Sequence, residues 1–383
     1  MRAARTRIPS MRIAVAMSGG VDSSVAALLL RREGADVVGL SMHLWNHDRD
    51  GTGANEGRCC TLDDLSVARR AADMIGVPHF VLNLEENFTE AVVKPFITSY
   101  LEGKTPIPCT VCNTEVKFKS LLERAAALGC EAVATGHYAR IGADEVTGAP
   151  RLLRARDRSR DQSYFLYDLT EEQLSRARFP LGELTKPQVR EIAREAGLPN
   201  WDKPDSQEVC FVPAGSTPAD FIRREAGRLG LELPVLAGAR PGGIFLEGGE
   251  RVGAHEGTMG YTVGQRRGLR ISSNDPLYVL ATVPEESRVV VGPAPSLLSK
   301  KVFLESVSLR IPGGARSPVS VLARIRSRHP EQPAWLTLED VGRGRLDFEE
   351  PVRAAAPGQS AVFFDPSRPD AILGGGIIAR RAE

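Results

Sequence analysis

Short apolar runs separated by amphipathic stretches set the rhythm of the first half of the chain. Arg12-Ile13-Ala14-Val15-Ala16 is apolar and branched enough for a buried parallel strand, and residues 36–42, 79–84 and 131–135 repeat that texture. Between them, residues 25–34, 62–75 and 114–129 carry helical spacing or composition, the first and last ending in a glycine suited to a helix C-terminus. Residues 85–101 are also helical in composition, with Pro95 predicted to kink them. This alternation predicts an α/β fold with a doubly wound parallel sheet, in which ligands sit beyond the carboxyl ends of strands. After Val212 the texture changes. Pro213-Ala214-Gly215 breaks the pattern, a helical stretch is predicted over 218–229, and glycine and proline punctuate short apolar runs over 233–275. From Tyr278 onward, runs at 279–283, 288–291, 302–304, 319–325 and 360–364 predict a closed β-barrel. The expected domains are therefore residues 1–212, 213–277 and 278–383.

The stretch between the first strand and its helix holds the first candidate chemistry. Met17-Ser18-Gly19-Gly20-Val21-Asp22-Ser23-Ser24 makes a strand, glycine turn and helix, and its glycines let backbone amides approach an oxyanion at a helix N-terminus. Neither the P-loop spacing nor G-x-G-x-x-G is present. Asp22 invites a magnesium role, although an acidic residue at a helix start also serves as a dipole partner. Met42 and Gly136, at the ends of later strands, are positioned to line the same pocket.

With 383 residues, two or three domains are expected. The 49 Lys and Arg balance 48 Asp and Glu to a net +1, so total charge neither demands nor excludes nucleic acid. No apolar run reaches membrane-spanning length, and residues 1–10 carry arginines but no apolar core for a signal peptide. That start reads as a disordered extension, an upstream start before Met11 or a weak transit-like segment. The cysteines do not make a secreted disulfide framework and imply a reducing, cytoplasmic setting where a thiol is kept for metal or chemistry.

The thiols cluster informatively at Pro108-Cys109-Thr110-Val111-Cys112-Asn113. C-x-x-C reads as half a zinc site or as a redox pair, and the adjacent Cys59-Cys60 lacks ordinary metal spacing. Asn113-Thr114 is a good helix N-cap pair. Cys112 just before it, with Lys117 and Lys119 beyond, is thus a plausible thiolate nucleophile. Cys130 reads as a buried structural thiol. Cys210 lies in a polar loop entering an apolar run and means little by itself.

SGGVDSS, PCTVCNTEVKFK, ATGHYAR, RDQSYFLY, DKPDSQEVCFV, GYTVGQRRGL and LGGG follow one another in this chain. The first resembles the PP-loop of the N-type ATP pyrophosphatases, and the whole order resembles the tRNA-specific 2-thiouridylases from Met11 nearly to the C-terminus. The resemblance implies a PP-loop catalytic domain, a small central β domain and a C-terminal barrel. It also implies ATP-dependent 2-thiolation of the tRNA wobble uridine through an adenylated base and a cysteine persulfide, with magnesium on the phosphates. The ATP site would be Ala16, Met17, Ser18, Gly19, Gly20, Val21, Asp22, Ser23, Met42 and Gly136. Cys112 stands at the nucleophile position and Cys210 at the persulfide position. Arg160, Asp161 and Gln162 match a tRNA-contacting segment, as do Arg326 and Ser327, where Ser327 replaces a tyrosine. Ile107-Pro108-Cys109 stands where the family has its base-contacting Asn-Pro-Asp, so the acid–base role of that aspartate has no counterpart here. The partners implied are tRNA and a persulfide donor protein, with a monomeric enzyme that meets no membrane.

Clustered arginines support an RNA partner independently. Arg151, Arg154, Arg156, Arg158 and Arg160 place five guanidinium groups within ten residues beside the single acid Asp157. Arg324, Arg326 and Arg328 add to them on the expected barrel.

Overall fold

Short, mostly apolar runs alternating with helices build the five strands of a parallel sheet. In the computed structural model, which describes residues 11–46, 62–205, 209–213, 215–231, 236–311, 317–339 and 342–380, these are β1 (Arg12–Ala16), β2 (Asp36–His43), β3 (His79–Asn83), β4 (Ala132–Ala134) and, beyond a hairpin of β5 (Ala139–Ala143) and β6 (Pro150–Arg154), β7 (Ala177–Arg178). The sheet runs β3-β2-β1-β4-β7, with β1 in parallel register with both β2 and β4. The order reverses at β1, as a doubly wound sheet requires, and the crevice at that reversal is the ligand position of such folds. The Val21–Arg32 helix buries Val21, Val25, Ala26, Ala27 and Leu30, and its small residues let it lie close on Ile13 and Val15.

The chain divides into two compact units, residues Met1–Val92 with Cys109–Ala214, and Val93–Pro108 with Gly215–Glu383. In the second unit, β8 (Gly242–Leu246), β9 (Arg251–His255), β10 (Tyr278–Val283) and β11 (Arg288–Gly292) form a four-stranded sheet in the order β10-β11-β8-β9 around Ile244, Val279, Val289 and Val291. A closed antiparallel barrel follows from β12 (Leu298–Leu309), β13 (Val319–Arg324), β14 (Gln332–Leu338), β15 (Gly344–Arg353), β16 (Ser360–Phe364) and β17 (Ile372–Ile378). Closure leaves no unpaired edge.

Three sequence expectations change. The strands at 278–283 and 288–292 pair with each other, and the second of them with β8, so the barrel begins at Leu298 and not at Tyr278. Pro95 lies in the first turn of the Lys94–Leu101 helix, where its missing N–H costs no bond, and it starts that helix after a π-helical turn at Thr89–Val93. The helix expected from Thr114 starts earlier, as Pro108–Val111, continues as a π-helical stretch Cys112–Ser120 and ends as Leu121–Ala127. Residues 1–10, the Cys59-Cys60 pair and residues 206–208 of the Cys210 loop lie outside the described residues.

Candidate active site

The glycine turn after β1 is built to keep a helix start uncovered. The Met17 N–H still bonds the Leu40 carbonyl at 2.8 Å, so the chain turns only past Met17. Gly19 has φ +75°, and any side chain there would strike the Asp64 carbonyl. Both conditions select glycine. Gly20 is the extended N-cap of the Val21–Arg32 helix and makes no side-chain cap bond, so nothing from the cap covers the first helical N–H groups. Ser23 Oγ donates to the Gly20 carbonyl at 3.0 Å and accepts from the Ser18 N–H at 3.3 Å. Ser24 Oγ donates to the same carbonyl at 3.2 Å, so the hydroxyls stiffen the turn.

Two other strand ends reach this turn. A Cβ on Gly136 would sit 2.7 Å from Asp22 C and Ser23 N, which places the chain after β4 directly on the helix start. Ser41 Oγ donates to the Met17 carbonyl at 2.6 Å and meets His79 Nε2 at 2.8 Å, tying the buried Met42 end of β2 to the same place. Ala16 to Ser23, Met42 and Gly136 therefore share the carboxyl edge of the sheet.

Asp22 is the centre of an ion network that sequence reading missed. The buried Lys186 ammonium lies 2.8 Å from both Asp22 carboxylate oxygens and 2.7 Å from Asp205 Oδ1. Tyr138 donates its hydroxyl to Asp22 Oδ1 at 2.9 Å; burial, then the Asp22 charge, pushes that phenol far above its ordinary range. Asp205 also pairs with Arg160 at 2.7 Å and with Arg190 at 3.8 Å. Burial opposes its ionisation, yet the Lys186 bond and the charges of Lys186, Arg160 and Arg190 hold the carboxyl below its usual value. Asn200 Nδ2 donates at 3.0 Å to the Gly19 carbonyl and to Ser24 Oγ, and Lys203 Nζ reaches Gly19 O at 3.4 Å and pairs with Asp64. The segment from Asn200 to Asp205, which leads to Cys210, is thereby rooted on the glycine turn. The quoted stretches DKPDSQEVC and ATGHYAR were the one signal for Lys203, Asp205 and Tyr138; Lys186 had none.

Cys112 is buried, half-buried Cys210 precedes Phe211, and Cys109 is exposed. Because a helical turn precedes Cys112, it does not occupy a helix N-terminus, and Asn113 is no cap: its Nδ2 donates to the Phe165 carbonyl at 2.9 Å. Phe211 packs edge-on against Phe88 at 5.6 Å, and the Glu85–Phe88 helix neighbours the Cys112–Ser120 stretch. One short helix thus touches both thiol-bearing segments. Cys130 is buried, and burial pushes its thiol up, as befits a structural cysteine.

Three of the five clustered arginines are paired with carboxylates, while Arg156 and Arg158 are exposed. Arg151 pairs with Asp144 at 2.9 Å, the buried Arg154 with Asp161 at 3.1 Å, and Arg160 with Asp205. Asp161 Oδ1 also accepts from the Ala155 and Ser163 N–H groups, and Gln162 Oε1 accepts from the Tyr138 N–H at 2.9 Å. These residues fix the turn after β4. On the barrel, Arg324 pairs with Glu331 at 2.8 Å, Arg326 Nη2 donates to the Val263 and Ala354 carbonyls at 2.8 and 3.0 Å, and Ser327 is exposed. Ile107 is half-buried and Pro108 buried.

Among the described residues, no group of three or more His, Cys, Asp and Glu is placed to hold a metal. Magnesium is ordinarily held through phosphate oxygens and one or two carboxylates, which needs no such cage. Asp22, in the first turn of the helix after the glycines, fits that role through Oδ2, which accepts from Lys186 and keeps a second lone pair, whereas Oδ1 accepts from both Lys186 and Tyr138. Among the same residues no helix is long and apolar enough to cross a membrane.

A parallel sheet whose first strand turns through Ser-Gly-Gly-Val-Asp-Ser into an uncapped helix, joined to a small β sheet and a closed barrel, defines the PP-loop ATP pyrophosphatase fold with appended β domains. The tRNA methyl transferase HUP domain family matches residues 11–214, the tRNA methyl transferase PRC-barrel domain residues 235–293, and the aminomethyltransferase beta-barrel domain residues 299–378. The tRNA-specific 2-thiouridylase MnmA of Solibacter usitatus is 48% identical over 97% of this chain and 100% of its own length. That of Koribacter versatilis is 45% identical over 96% of this chain and 99% of its own, and that of Geobacter metallireducens 45% over 96% of each. The chain belongs to the tRNA-specific 2-thiouridylase family.

Proposed function

We propose that this tRNA sulfurtransferase installs sulfur at C2 of the wobble uridine, using ATP to activate the C2 oxygen and a persulfide on Cys210 as the sulfur source. The observation that carries the proposal is the rooting of the Cys210 segment, through Asn200, Lys203 and Asp205, on the turn that would cradle the triphosphate. A carbonyl oxygen is a poor leaving group and AMP a good one, so the C2 oxygen attacks the α-phosphorus and pyrophosphate departs. The uncapped helix N–H groups, Ser18 and Gly136 cradle the phosphates, and Lys186 balances charge beside Asp22. Magnesium, when bound at Asp22, supplies charge neutralisation for the departing pyrophosphate.

Sulfur delivery needs two electrons, because the sulfane sulfur must leave as sulfide. The Cys112 thiolate attacks the Cys210 sulfur of the persulfide, a Cys112–Cys210 disulfide forms, and hydrosulfide is released. Hydrosulfide adds at C2, the C–O bond to AMP breaks, and an external dithiol reduces the disulfide. The persulfide comes from a donor protein, and the enzyme acts as a cytoplasmic monomer on tRNA. Ile107, Pro108 and Cys109 receive the uridine, which leaves its stack to reach them.

The test is thiolation of unmodified tRNA with ATP, magnesium and a persulfide donor, followed by nucleoside mass analysis and peptide mapping after one turnover. Cys112→Ser and Cys210→Ser are expected to be inactive and Cys109→Ser at least partly active. A fully active Cys112→Ser enzyme overturns the assignment.

A further inference from the structure

The stretch Gly260-Tyr261-Thr262-Val263-Gly264-Gln265-Arg266-Arg267-Gly268-Leu269 has no part in the chemistry above, yet hydrogen bonds hold it from several sides. The Gly264 N–H donates to the Val279 carbonyl at 2.8 Å, and the Val279 N–H returns a bond to Gln265 at 3.0 Å. The Gln265 side chain folds back, accepting from the Thr262 N–H at 3.1 Å and donating to the Arg267 carbonyl at 3.0 Å. Arg326 clamps the loop through the Val263 carbonyl, and a Cβ on Gly264 would meet Ala354 at 2.8 Å. Leu269 plugs the core of the four-stranded sheet.

This rigid frame presents charge that the fold does not use. Arg266, Arg267 and Arg270 are exposed, and none of their guanidinium groups has a carboxylate or carbonyl partner among the described residues. Arg270 holds φ +55°, a conformation that disfavours any residue with a Cβ. The exposed Arg328 follows the clamp residue Arg326 on the barrel. Burial, then the charges of Arg326 and Arg353, holds the His329 imidazole below its ordinary value. Elsewhere the clustered arginines are spent on Asp144, Asp161, Asp205 and Glu331. The loop also adjoins the segment proposed to receive the base: Thr262 and Thr105 share a hydroxyl bond at 3.1 Å, while Thr105 is held by Pro357 and Gln359 at 2.7 Å each.

We infer that Arg266, Arg267 and Arg270 grip the phosphate backbone of the tRNA beside the stretch from Thr105 to Pro108, anchoring the strand whose uridine is modified. The partner is a polyanionic strand because the loop carries three exposed guanidinium groups, without carboxylate partners among the described residues, on a hydrogen-bonded frame. This inference rests on the tRNA reading above. The experiment measures fluorescence anisotropy of labelled, unmodified tRNA from 50 to 200 mM KCl with wild type, R266A/R267A/R270A, the corresponding triple lysine variant and Arg270→Gly, beside ATP calorimetry.

Each lost phosphate contact is expected to flatten the salt slope by about 0.9, so over that range the wild type loses roughly 40-fold more affinity than the triple alanine variant. The lysine variant should recover the slope, and ATP affinity should not change. Arg270→Gly, which suits the local backbone and so folds, should lose about one contact's worth of slope. An unaltered slope in the alanine and glycine variants overturns the inference while leaving the tRNA reading intact. A wild-type protein that fails to bind tRNA overturns both.

Discussion

Lys186 is the most informative residue to remove. Lys186→Met keeps the length and apolar stem but removes the ammonium that Asp22 and Asp205 share at 2.7–2.8 Å, leaving Asp22 without that cation and Asp205 with Arg160 and Arg190. At an effective dielectric near 20, each contact is worth about 4 kcal/mol of gross attraction, and desolvation of a lysine only 7% exposed offsets much of it. Breaking a fully buried pair costs about 3–5 kcal/mol; with the carboxylates 29% and 20% exposed, water screens part of this, and about 2–3 kcal/mol is expected at neutral pH. Asp205→Asn should cost less, because Lys186 keeps Asp22. In the double variant the Lys186–Asp205 contact is already gone, so the cycle should show about 1–2 kcal/mol of coupling. Urea unfolding at pH 7.5 reads this directly. Pyrophosphate release should fall together with stability at pH 7.5. A Lys186→Met protein within about 0.5 kcal/mol of wild type, with no coupling to Asp205, would refute the network as a structural element.

Gly136→Ala forces a methyl to 2.7 Å from backbone that cannot yield; overpacking of about 1–3 kcal/mol at the helix start should weaken ATP binding about tenfold by calorimetry. Arg154→Ala should lower urea stability by about 2–3 kcal/mol through the stranded Asp161, whereas Arg156→Ala and Arg158→Ala, on exposed positions, should stay within about 0.5 kcal/mol. His79, His137, His255 and His329 are all held below the ordinary histidine value, chiefly by burial. Folding then favours the neutral imidazole, so stability is full above the unfolded value near 6.5 and declines as pH falls toward 5, by at most about 1.4 kcal/mol per pH unit for each group. Thermal melts across that range should show the decline, and His137→Gln should flatten it.

What the sequence determined by itself was whatever depends on local pattern. Apolar period and glycine placement located β1, the helix at 62–75 and the strand at 360–364 to the residue, and the order of glycine and serine marked the phosphate turn before any fold existed. Strands whose faces are mixed, such as Gln332–Leu338 and Gly344–Arg353, were passed over because their apolar residues become a face only when the barrel closes. The tertiary structure decided which charges are spent. Arg154 and Arg266 look alike in sequence, but the first meets Asp161 seven residues away through a turn, while the second is held out by a loop whose partners are Arg326 and Val279. It also decided that Lys186, far along the chain, sits between Asp22 and Asp205. The physical reason is that ion pairing depends on distances between side chains remote in sequence, which no local periodicity encodes, whereas a turn that must adopt positive φ writes its glycine into the chain directly.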